Sequence, residues 1–162
     1  MTTPDWEQRS ADLWAAIDDY EGPAFRARVE ALAAELPQGD AVGLFERACA
    51  NDSTGVPEEA APLYREALAT GLTGIRRRRA VIQLASTLRN LGHPDESVAL
   101  LRAEQEEASD ELDDAVVCTL ALALADTGRE REAAGLAIGA LARHLPRYNR
   151  SMAAYAAELS GR

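Results

Sequence analysis

Apolar residues recur at helical spacing along most of the chain, between short turns that contain Gly or Pro. From Phe25, steps of four, three and four residues lead to Val29, Leu32 and Leu36, which places them on one face of a helix. Residues 75–90 continue the pattern. Residues 113–126 are apolar almost throughout, which is typical of a helix buried on several sides. The pattern therefore predicts an all-α protein.

Three stretches share one register, which is set by Gly55, Gly92 and Gly128. The intervals between these glycines are 37 and 36 residues. Glu follows each glycine at the fourth position, a small residue at the fifth and Leu at the eighth. Intervals of this length are typical of repeats built from a pair of helices.

The best-matched stretch carries Gly55, Ala60, Tyr64 and Ala67. It resembles the tetratricopeptide repeat, in which a turn Gly is followed by Ala at five, an aromatic residue at nine and Ala at twelve. In the third stretch, Ala137 stands where the family has the aromatic residue. The stretch at Gly92 matches more loosely. The resemblance implies a right-handed α-solenoid of antiparallel helix pairs, a superhelix of the tetratricopeptide type.

The repeats divide the chain into consecutive helix pairs within one predicted domain, residues 1–162. The small residues at Ala133, Ala137 and Ala140 are expected to be packing positions. The predicted segments are a degenerate N-terminal pair at 1–39, three repeats at 40–74, 75–111 and 112–145, and a C-terminal capping helix at 146–162.

The resemblance also implies a function, because the first helix of each pair lines the concave face of such a superhelix. We therefore expect a non-catalytic protein–protein interaction module, an adaptor or sensor that holds a peptide or helix of a partner protein. The alternative is a structural homodimer, in which the groove is filled by the chain itself or by a second copy. The predicted partner-binding residues are Val42, Phe45, Cys49, Arg79, Ile82, Ser86, Arg89, Cys118 and Leu122.

Two arginines, Arg79 and Arg89, stand near the middle of this predicted groove. A guanidinium there is suited to pair with a carboxylate of a partner. The competing interpretation is that both arginines meet acidic residues of this chain.

Charge argues against nucleic acid and membranes as partners. The chain has 27 acidic and 17 basic residues, a formal net charge of −10, which repels phosphate-rich surfaces. The run of four arginines at 76–79 opposes the dipole at a helix start. We expect Arg77 and Arg78 to pair with Asp113 and Asp114, which begin the equivalent helix one repeat later.

The sequence contains no pattern for catalysis, a cofactor or a metal. His93 and His144 lie far apart, and Cys49 and Cys118 belong to no ligand-like cluster. Adjacent carboxylates on a helix do not converge on one substrate. The first residues resemble no signal peptide, and no apolar run reaches the length of a membrane span. These features predict a cytoplasmic protein with reduced thiols.

Overall fold

The computed structural model describes residues 2–107 and 109–161. In these ranges the chain is helical and has no β-strand. The prediction of an all-α fold of helix pairs is confirmed. The helices are α1 (Pro4–Ala15), α2 (Gly22–Ala33), α3 (Ala41–Ser53), α4 (Pro57–Ala69), α5 (Gly74–Asn90), α6 (Pro94–Gln105), α7 (Asp113–Asp126), α8 (Glu130–Ala142) and α9 (Asn149–Leu159), with a short 3-10 helix at Ile17–Asp19.

Contacts group the chain into two compact units, Met1–Ala80 and Val81–Arg162. In the first unit α1 packs against α2, α2 against α3 and α3 against α4. In the second unit α6 packs against α7, α7 against α8 and α8 against α9. Helix α5 supplies its first residues to one unit and the rest to the other.

The three register-setting turns have the same backbone structure. Gly55, Gly92 and Gly128 have φ angles of +80°, +83° and +76°, a left-handed conformation that side chains disfavour. In each turn the residue after the glycine donates its N–H to a carbonyl five residues earlier, over 2.9 Å: Val56 to Asn51, His93 to Leu88 and Arg129 to Leu124. This bond ends the first helix of each pair and directs the chain into the second.

The core of the first unit is built around aromatic side chains. Phe25 is fully buried, and its ring meets that of Trp14 edge-on at a centroid distance of 5.0 Å. Val29 and Ala50 complete this cluster. The indole of Trp6, also buried, donates a hydrogen bond of 2.9 Å to the Leu32 carbonyl, which satisfies its polar atom.

The core of the second unit is aliphatic, and helices α5 to α8 all contribute to it. Its buried members are Ala85, Leu101, Val116, Leu120, Ala121, Leu124, Ala133 and Leu136. Ala133 and Ala140 are buried as the register predicts. Ala137, which the register also assigns to packing, is exposed, so that prediction is wrong.

The last helix, α9, packs closely on α8. A Cβ atom added at Gly135 would lie 2.7 Å from the Ser160 nitrogen and 2.8 Å from the Ala156 carbonyl oxygen. Two helices can approach this closely only where the residue at the contact has no side chain. Gly139 and Ala142, one and two turns further along α8, lie on the same side of the helix.

Candidate functional site

The predicted binding residues occupy equivalent positions on α3, α5 and α7. Ten residues before each turn glycine stand Phe45, Ile82 and Cys118, and six before it stand Cys49, Ser86 and Leu122. If these positions lined one open groove, all six side chains would be accessible. The structure gives the three helices different environments instead.

On α3 both positions are buried. Phe45 is 0% and Cys49 is 2% exposed. The Phe45 ring packs against the Tyr64 ring at 6.3 Å between centroids, and the Arg79 guanidinium lies over it at 5.2 Å. Phe45 and Cys49 are therefore core residues and present no surface to a partner, which corrects this part of the prediction. Val42 is half-buried, and Arg79 is the exposed member of the set in this unit.

Tyr64 explains why the α3 positions are enclosed. Its side chain is fully buried between α3 and α4, and its hydroxyl lies 3.4 Å from an Asp52 carboxylate oxygen. Burial raises the pKa of Tyr64, so the phenol stays neutral. The aromatic residue at the ninth position after the glycine thus fills the space beside Phe45.

A partly buried polar network connects α1, α3 and α5 in the first unit. Glu46 is 5% exposed, and it accepts a hydrogen bond of 2.7 Å from the Trp14 indole. Its other carboxylate oxygen lies 3.5 Å from Nε of Arg76. The same guanidinium donates two hydrogen bonds, of 3.0 and 2.5 Å, to Glu7. The bond from Arg76 lowers the pKa of Glu7.

This network accounts for one residue of the arginine run. The sequence predicts partners for Arg77 and Arg78 in Asp113 and Asp114, and that pairing stays a prediction. Asp114 accepts a hydrogen bond from Arg143 and lies 2.8 Å from Nε2 of His144. Arg76, for which no partner was predicted, meets acids that lie 30 and 69 residues away in sequence.

On α5 the two positions are half-buried. Ile82 packs against the core of the second unit, and Ser86 is likewise only partly accessible. Arg89 points toward α7, where its Nε lies 2.5 Å from an Asp126 carboxylate oxygen. Of the two interpretations given for Arg89, the structure shows the pairing with an acid of this chain.

On α7 the two positions are exposed. Cys118 is accessible, and Leu122 has 53% of its surface exposed. The same two register positions are thus buried on α3, half-buried on α5 and open on α7. Among the described residues, the α7 positions therefore lack the cover that their counterparts on α3 have.

Three residues of helix α8 are likewise exposed, although their counterparts in the earlier pairs are covered. Ala134, Ala137 and Leu141 are exposed, the last at 58%. Their counterparts on α4 and α6 are buried or half-buried: Ala61, Tyr64 and Leu68 on α4, and Val98, Leu101 and Gln105 on α6. We refer to Cys118, Leu122, Ala134, Ala137 and Leu141 as the end face.

The sequence identified two of the five residues of the end face. Leu141 and the two alanines were missed because the same register positions are buried or half-buried in the preceding pairs. The signal that would have found them is the position of α8 in the last full pair of the repeat series.

Neither a metal site nor a membrane-spanning helix occurs in the part of the chain that the structure describes. No group of three or more His, Cys, Asp and Glu side chains there is arranged to hold a metal ion. None of its helices is both long and apolar enough to cross a bilayer.

The shared geometry of the three turns indicates a repeat family, and comparison with known families establishes which one it is. The tetratricopeptide repeat family matches residues 41–159. The chain belongs to the tetratricopeptide repeat family. The match begins at the first residue of α3 and ends at the last residue of α9, so it includes every residue of the end face. No curated protein and no solved structure matches the chain.

Membership gives the general function, because tetratricopeptide repeats are protein–protein interaction modules and in general are not catalytic. Such repeats offer their helices as a scaffold on which another polypeptide docks. The surface of this member that takes part must be argued from its own exposed residues.

Proposed function

We propose that this chain binds a helix or extended segment of another protein on α7, around Cys118 and Leu122. The observation that carries the proposal is the exposure of Leu122, at 53%, in a register position that is 2% exposed at Cys49. A large apolar side chain with no neighbour on one side provides an anchor for an incoming chain.

The rest of the predicted surface contributes less. Ile82 and Ser86 on α5 are partly covered. Arg89 is held by Asp126, so a carboxylate of a partner would have to compete with an existing ion pair. The bound segment is therefore recognised chiefly through apolar contact, and the chain acts as an adaptor or sensor without catalysis.

Selection from a peptide-display library tests this proposal. The full chain is immobilised at low density, and the affinity of the most enriched peptide is measured by fluorescence anisotropy. We expect Leu122→Glu to weaken binding by at least about tenfold, because a charge replaces the apolar anchor. Tyr155→Glu is the matched control, since Tyr155 is also exposed, at 57%, but lies on α9.

Two outcomes would contradict the proposal. One is a library from which no peptide is enriched on the unmodified chain. The other is an enriched peptide that binds the Leu122→Glu and Tyr155→Glu variants with equal affinity. Circular dichroism of both variants establishes that they remain folded.

A further inference from the structure

In the earlier repeats, the side of a helix pair that corresponds to the end face is covered by the first helix of the following pair. In the first unit Arg79 of α5 lies over Phe45, the counterpart of Cys118. In the second unit Ile82 of α5 packs against the core to which α7 contributes, and Asp126 of α7 pairs with Arg89 of α5. On α7 and α8 the corresponding residues have no such cover and are exposed.

Helix α9 leaves the end face open because it packs on a different side of α8. It contacts Gly135 and Gly139, seven and eleven residues after the turn glycine. The counterparts of these two residues are exposed on the earlier pairs: Pro62 and Glu66 on α4, and Ala99 and Ala103 on α6. Helix α9 thus covers the side of α8 whose counterpart is exposed on α4 and α6. The side of α8 whose counterpart is covered on α4 and α6 stays exposed.

We infer that the end face is covered in solution by the end face of a second copy of this chain, so that the two copies form a two-fold symmetric dimer. The inference deepens the proposed function, and it rests on it for the location of the surface. A two-fold interface uses the same patch on both copies, so one dimer covers both end faces and leaves neither open.

The composition of the end face suits such pairing. Two leucines project from a surface whose other members are small, namely Cys118, Ala134 and Ala137. In a two-fold arrangement the leucines of one copy pack over the small residues of the other, so the surface is complementary to itself.

Charge does not oppose the pairing, although each chain carries a net charge of −10. None of the five residues is charged, and three of the acids on the two helices have partners in the same chain. Asp114 meets Arg143 and His144, and Asp126 meets Arg89. Glu132 pairs with Arg129 at 2.6 Å and also with Arg102. Two end faces can therefore approach without bringing these carboxylates together unpaired.

Sedimentation velocity of the full chain over a series of concentrations tests the inference. We expect a monomer–dimer equilibrium in which Leu122→Glu raises the dissociation constant by at least about tenfold. Leu141→Glu, on the other helix of the face, is expected to do the same. Tyr155→Glu is expected to leave the dissociation constant within about twofold of the unmodified chain, because Tyr155 lies on α9 outside the face.

The inference is overturned if the chain stays monomeric at every concentration, or if it dimerises and neither leucine substitution weakens the dimer. If the chain is monomeric but Leu122→Glu still weakens binding of the selected peptides, the inferred dimer is refuted and the proposed function stands. A dimer weakened by both leucine substitutions, with no Leu122-dependent peptide, would support the second copy and refute binding of other segments.

Discussion

Glutamate in place of Cys49 is expected to lower the free energy of unfolding by at least about 3 kcal/mol. Cys49 is 2% exposed, one turn along α3 from Phe45, which has Arg79 and Tyr64 against its ring. A carboxylate at this position would lose its hydration, and its longer side chain would not fit the space. Urea unfolding followed by circular dichroism measures the change.

Leu122→Glu is the matched control, because Leu122 stands at the same register position as Cys49, six residues before the turn glycine. With 53% of its surface exposed, the new carboxylate stays in water. We expect a change of less than about 0.5 kcal/mol in dilute solution, below the concentration at which the inferred dimer would form. Equal destabilisation by the two substitutions would show that Leu122 is buried. The end face would then not be an exposed surface.

Gly135→Ala is expected to destabilise the second unit by about 1–3 kcal/mol, the usual cost of overpacking. Alanine has the higher helix propensity, by about 1 kcal/mol, which alone would stabilise α8. Its Cβ, however, would lie 2.7 and 2.8 Å from two backbone atoms of α9 and the residue after it. Backbone cannot move aside as a side-chain end can, so α9 has to shift away from α8. Thermal unfolding measures the loss.

Gly139→Ala provides the control one turn along the same helix. The nearest atom to its added Cβ is the Ala156 Cβ at 3.6 Å, an ordinary packing distance. We expect this substitution to stabilise the protein by up to about 1 kcal/mol through helix propensity. If Gly135→Ala and Gly139→Ala were equally stable, the close packing of α9 on α8 would be contradicted.

The sequence predicts the helix pairs well because their turns depend on local chemistry. Each turn has a glycine with positive φ, and the residue after it donates its N–H to the carbonyl five residues earlier. Both features form within one short segment of the chain. Gly55, Gly92 and Gly128 therefore fix the register, and the buried positions Ala60 and Ala133 follow from it.

Burial at the predicted binding positions does not follow from local sequence. Phe45 and Cys118 occupy the same place in the repeat, yet one is enclosed and the other exposed. The difference depends on whether another helix covers the pair. The register could not show that α9 packs on Gly135 rather than beside Ala137, because the counterparts of Gly135 on α4 and α6 are exposed.

The ion pairs are the least predictable part of the fold. Glu7, Glu46 and Arg76 come from three helices that are distant in sequence. Spacing along the chain gives no sign of their contact. The sequence predicts acidic partners for Arg77 and Arg78 and none for Arg76, whose contacts with Glu7 and Glu46 the structure shows.

The rate of maleimide labelling at Cys118 tests most directly whether the end face is open in one chain and covered by another. Cys49 is buried, so labelling of the folded chain reports on Cys118 alone. We predict one label per chain in dilute solution, located at Cys118 by mass spectrometry, and a rate that falls as the protein concentration rises. A Cys118 thiol that is unreactive in the dilute folded chain, or labelled at one rate at every concentration, would contradict the account.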